Sequence, residues 1–341
     1  MRRGNGTSPL ASPAARASGL LLAALVLIAV CFASIAYGSL KIPLGDVIDA
    51  FTSFRDVDEH VIVRDVRGPR TLVGLAVGAA LGVAGAVMQG MTRNPLGDPG
   101  ILGIEAGAAL AVVVAIFLLG VTSVAGYAWF ALAGAAAAGT LVYVLGAAGG
   151  SRAAPINLAL AGAAVASLLV ALTSAVLSFD VDTLNQYRFW IVGSVAGRDL
   201  GVLAGALPFL AAGFALALGS GRALNALALG EDVARSLGQR VRLNQLVAAA
   251  SFILLAGGAV AVAGPIVFVG LTVPHVARGI VGPDYRWVVP YCAVLGATLL
   301  LVADVLGRVA ARPTEIDVGI VMALVGTPVF IALVRRRVFE L

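Results

Sequence analysis

Side chains able to do chemistry are scarce in this chain. Its 341 residues include two histidines, His60 and His275, two cysteines, Cys31 and Cys292, and a single lysine, Lys41. A phosphate-cradling loop needs its lysine directly after a glycine-rich turn. Lys41 follows Ser39-Leu40 instead, so the chain has no P-loop with which to hydrolyse ATP. A GxSxG elbow, a His-Glu-x-x-His helix and paired carboxylates within an apolar run are also missing. What remains is Glu105, an acid inside an apolar run and a candidate proton carrier. Asp98 and Pro99 read as the cap and first residue of its helix, which places Glu105 about two turns in. A structural or lumen-facing role and a pathway role both stay open for it. Asp304 and Arg308 are four apart, on one face of a helix where they can pair. His275, after Pro274 at a helix end, reads as a hydrogen-bonded structural residue, and the cysteines lie in separate apolar runs that imply no disulfide.

The elements that must position these residues are membrane helices. The chain is 60% hydrophobic and 12% charged, with a mean hydropathy of +1.01. A soluble domain carries about twice that charge fraction. The apolar runs predict an all-α, polytopic protein with spans at 19–38, 70–90, 99–119, 124–147, 155–178, 200–219, 243–263, 265–280, 287–307 and 317–335. Residues 1–18 read as a cytoplasmic tail and 19–341 as one transmembrane domain. The basic, apolar N-terminal stretch reads as an uncleaved first helix. A short surface helix is predicted over Pro43–Phe54 in the polar segment 41–69, and a second polar stretch covers 179–199. With the N-terminus inside, inner segments hold 14 arginines against 6 acids, and outer segments 9 bases against 12 acids. The positive-inside bias therefore places both termini in the cytoplasm. It also accounts for the pI of 9.7 without a nucleic-acid partner.

The polar island 220–242 stands out among the inner loops. Val233 and Leu237 are four apart with Ala234 beside them, Glu231, Asp232 and Arg235 occupy the rest, and Gly238 suits a left-handed end. A helix of about eight residues cannot hold itself together in water. It needs a surface to pack on.

Three blocks resemble the FecCD-type permeases, membrane subunits of importers for ferric siderophores, haem and cobalamin. The first contains Arg67-Gly68-Pro69-Arg70, Gly85-Ala86, Gln89, Asn94-Pro95-Leu96, Pro99 and Gly103. The second is GPIVFVGLTVPHVAR at 264–278. The third runs from Asp304 and Arg308 through Glu315, Gly319, Gly326, Pro328 and Phe330. The resemblance implies the type II importer architecture: ten helices per subunit, a homodimer or paralogous heterodimer of permeases in the lipid bilayer, two cytoplasmic ATPase subunits and an extracytoplasmic binding protein. No cofactor or metal belongs to the chain itself, since ATP and Mg would sit on the partner ATPase. The family's coupling pattern falls on Leu229, Gly230, Glu231, Ala234, Leu237 and Gly238, with a helix at about 230–237 whose charges would pair with the ATPase rim. Its docking arginines fall on Arg67, Arg70 and Arg308, with a helix-end anchor at the interface as the alternative for Arg67 or Arg70. The segment Gln186 to Trp190 with Gly193-Ser194 matches the stretch before span six, where Trp190 reads as packing or an interfacial anchor.

Two departures bear on cargo. Glu105 stands where the family more often has a small polar residue, and Pro155 and Ile156, at the entry to span five, are less polar than in cobalamin importers. Glu105, Pro155 and Ile156 are thus the candidate pathway residues, and a ferric siderophore is favoured over haem or cobalamin. A self-contained, ion-coupled transporter using Glu105 is the rival of another class.

Overall fold

The computed structural model describes residues 10, 12–147 and 154–338. Their regular structure is all helical, with no strand among them. In chain order the helices are α1 (Pro13–Ala36), α2 (Leu44–Thr52), α3 (Asp58–Val61), α4 (Gly68–Thr92), α5 (Ile104–Leu119), α6 (Val124–Ala147), α7 (Ala154–Leu177), α8 (Val181–Ile191), α9 (Leu200–Gly219), α10 (Gly221–Ala228), α11 (Glu231–Ser236), α12 (Val241–Ala263), α13 (Val269–Val281), α14 (Tyr285–Ala310) and α15 (Val318–Val338).

Among the described residues, the ten predicted spans fall on seven helices long and apolar enough to cross a membrane, and on three shorter apolar stretches, α5, α13 and Val318–Ala332 of α15. α4 and α12 form the centre and are buried along most of their length, while α1 buries only Ser34. Small residues allow the central helices to touch backbone to backbone. A Cβ on Gly78 would press into the Gly296 carbonyl of α14, and one on Gly85 would collide with the Gly270 carbonyl of α13.

Three predicted boundaries are corrected. Segment 41–69 contains more than its surface helix, which is observed as α2. A helical run starts at Asp58 and passes through a π-helical stretch, Ile62–Arg67, into α4. The eighth span, predicted from 265, starts as helix only at Val269. Pro265 lacks an N–H and disfavours helical backbone at the residue before it, and Gly264 accordingly sits at φ 76°, ψ −179°. α13 has 13 residues, about 20 Å at 1.5 Å per residue. Finally, 179–199 contains α8, capped by Asp180, which accepts the Thr183 N–H at 2.9 Å.

Candidate functional site

The polar island folds as an elbow of two helices. α10 presents Leu224 and Leu227 inward, a three-residue spacing that is the sequence signal for this unpredicted helix. Gly230, at φ 107°, makes a bend that an L side chain rarely adopts. α11 follows, and Gly238 at φ 76° ends it: the Gln239 N–H reaches the Ala234 carbonyl at 3.0 Å and the Gly238 N–H reaches Arg235 at 2.9 Å. This is the Schellman arrangement that satisfies the last carbonyls.

The elbow has an inner and an outer face. Ala234 is fully buried and packs with Ala226, Leu227 and Val241. It therefore points away from Val233 and Leu237, contrary to the shared face read from spacing. Leu229 closes α10 before the Gly230 bend, whereas Val233 and Leu237 lie four apart along α11 and its C-cap. At 65%, 43% and 60% exposed, these three apolar side chains form the outer side of the elbow. The predicted rim charges are partly committed inside. Glu231 accepts from Arg235 at 2.8 Å and from Gln245 at 3.0 Å, its side chain only 11% exposed, while Asp232 pairs with Arg235 at 3.1 Å and stays exposed.

Gln89 organises the same end of the bundle. Its amide donates to the carbonyls of Gly97, Gly270 and Leu271 at 3.2–3.3 Å, and its oxygen accepts from Arg278. Two motif residues 189 apart thus lock α4, the 94–98 loop and α13 together.

The three arginines assigned to binding-protein docking are at the opposite end, and all are buried: Arg67, Arg70 and Arg308 are 4%, 5% and 1% exposed. Arg70 forks onto Asp304 at 2.7–3.1 Å and donates to Glu315. Arg308 also pairs with Asp304, at 3.0 Å, as the i, i+4 spacing predicted. The remaining donors cap α1. That helix has no basic residue in its last turn, and its final carbonyls lack intrahelical partners. Arg67 supplies bonds to Ile35, Ala36 and Leu40, Arg308 to Ser34 and Tyr37, and Arg312 to Gly38. These guanidiniums staple α1, α4 and α14 together, and their donors are turned to partners within the chain. Burial would raise the Glu315 carboxyl, but hydrogen bonds from Arg70 and Ser39 hold it below the usual range.

Glu105 is the second residue of α5, not two turns into a helix. Asp98 caps a 3₁₀ turn, Pro99–Leu102, and Gly103 at φ 71° resets the chain before α5 starts. The Glu105 carboxylate lies beside Gly100, whose N–H Asp98 accepts at 3.0 Å. Burial pushes the Asp98 carboxyl up, against the pull of that bond. Pro155 and Ile156 belong to the first turn of α7, and their side chains lie outside the described residues. Trp190 is buried, with its carbonyl against Gly264. No group of three or more His, Cys, Asp or Glu among the described residues is arranged to hold a metal.

A multi-pass helical bundle with no P-loop in its sequence, and with exposed apolar side chains on a short elbow at one end, has the form of a transporter's membrane subunit. The chain belongs to the FecCD transport family, whose model matches residues 25–336. It is 46% identical over 312 residues to the "Probable siderophore transport system permease protein YfiZ" of Bacillus subtilis (strain 168), covering 92% of this chain and 93% of that one. It is 45% identical over 320 residues to the ferric enterobactin transport system permease FepD of Escherichia coli (strain K12), covering 94% of each. A solved metal-chelate type ABC transporter in an inward-facing conformation superposes with a TM-score of 0.81 at 30% identity, covering 94% of this chain and 99% of that one. The protein is therefore a multi-pass ABC-transporter permease of the cell membrane.

Proposed function

We propose that this permease carries a ferric siderophore into the cytoplasm, driven by ATP hydrolysis on separate ATPase subunits that seat against α11. The Leu229–Val233–Leu237 stripe carries the coupling part of this reading. Its three apolar side chains are exposed, Val233 within a helix of six residues and Leu229 and Leu237 on either side of it, and a helix that short is not stable without packing. An amphipathic helix of this kind lays its apolar face into a partner's groove. The siderophore assignment is supported by what the relatives named above carry. The reading includes a second permease subunit across the transport axis, with Glu105 and the start of α7 near the pathway. An extracytoplasmic binding protein docks at the end bearing α2, through surface charges such as Arg55 and Arg64 in place of the buried arginines.

The test is retention of the ATPase by the purified permease. Leu237→Asp or Val233→Asp removes about 2 kcal/mol of apolar burial at the contact, so ATPase affinity falls about 30-fold while membrane insertion is unchanged. Wild-type retention together with wild-type ATP-driven uptake in both variants would overturn the assignment.

A further inference from the structure

Asn225, midway along α10, is bound through both ends of its amide to the start of α14. Its Oδ1 accepts the Tyr285 N–H at 2.8 Å, and its Nδ2 donates to Asp284 Oδ1 at 2.7 Å. The two partners fix which way the amide points, since an N–H can meet only the oxygen and a carboxylate only the NH₂. Asp284 is the N-cap of α14. It accepts the Arg286 N–H at 3.1 Å and pairs with the Arg286 guanidinium at 2.7 Å. One turn before Asn225, Gly221 lies directly on the Arg286 backbone, and the Tyr285 ring lies on Gly90 of α4.

This joint connects the elbow with the far end of the molecule. α10 and α11 are packed together, with the start of α12, through the small core of Ala226, Leu227, Ala234 and Val241. α14 is one helix of 26 residues, about 39 Å long. Its other end holds Asp304 and Arg308, bonded to Arg70 of α4 and to Ser34 of α1. Hydrogen-bonded rigid elements of this kind can carry movement between distant sites.

We propose that Asn225 is the positioning residue through which movement of the ATPase-bound α11 reaches α14. The inference rests on the coupling role of α11 proposed above. Its site is distinct from the α11 contact: Asn225 faces α14, whereas Leu229, Val233 and Leu237 face outward.

Reciprocal exchange of the two side chains tests it in proteoliposomes containing the permease with its ATPase and binding protein, with radiolabelled ferric enterobactin as the probe. Asn225→Asp sets two carboxylates against each other, and the double variant Asn225→Asp, Asp284→Asn restores one donor and one acceptor with the roles reversed. The expected result is that both retain the ATPase and hydrolyse ATP, that Asn225→Asp lowers uptake per ATP about tenfold, or about 1.4 kcal/mol, and that the double variant recovers most of it. A purely structural Asn225 would change the amount of folded complex and leave uptake per ATP alone. Unchanged uptake per ATP in Asn225→Asp, or equal loss in the single and double variants, overturns the inference. Leu237→Asp serves as the reference. If it transports normally, the coupling role of α11 fails; if it is impaired while Asn225→Asp is normal, only the role of Asn225 fails.

Discussion

Asp304 is fully buried and faces two guanidiniums at once, Arg70 at 2.7 Å and Arg308 at 3.0 Å. Removing one partner of a buried ionic group leaves the others desolvated and uncompensated, at about 3–5 kcal/mol. Asp304→Ala is therefore expected to lower the melting temperature sharply. Glu315→Gln should cost far less, because the Glu315 side chain is 33% exposed and water can replace its bond to Arg70. Melting of the two variants in nanodiscs checks this, and equal shifts would contradict it. Charge reversal at Arg308 should likewise fail by misfolding, not by a selective loss of binding-protein affinity. At this scale the sequence was half legible. The i, i+4 spacing revealed Asp304 with Arg308. No local pattern could reveal that Arg70, 234 residues away, is the second partner, or that Arg67 and Arg308 cap α1.

The helix starts and bends show the same division. Gly230 and Gly238 bound α11 where the pattern placed them, because both positions need a positive φ. α10 went unread because it is only eight residues long, directly follows α9, and packs on surfaces distant in sequence, on α4 and on α14 about 60 residues on. The start of α14 has a measurable signature. Hydrogen bonds from Arg286, with further help from Asn225, outweigh burial and hold the Asp284 carboxyl down at about 2. A depressed carboxyl stabilises the fold fully above its unfolded pKa near 4, and that contribution is lost as pH falls toward about 2. The melting difference between wild type and Asp284→Asn should be constant from pH 8 to pH 5 and fall by about half near pH 3. A difference that persisted undiminished at pH 3 would mean that Asp284 is not ionically tied to this cap.

For the molecule as a whole, the apolar runs located the membrane helices because about 20 residues of low charge have few other uses. They could not show that α13 is a short helix entered through a non-helical segment with positive φ at Gly264 and Phe268, since hydropathy does not distinguish the two. Nor could they assign an energy source. On the reading proposed above the chain is moved from outside itself, by ATPase subunits seated on α11, whereas Glu105 alone would suit a proton-driven carrier. Uptake of a radiolabelled ferric siderophore into proteoliposomes separates these directly. The account predicts uptake by the permease only with its ATPase, its binding protein and ATP, and continued ATP-driven uptake in Glu105→Gln. Uptake by the chain alone under a pH gradient, abolished by Glu105→Gln, would contradict it.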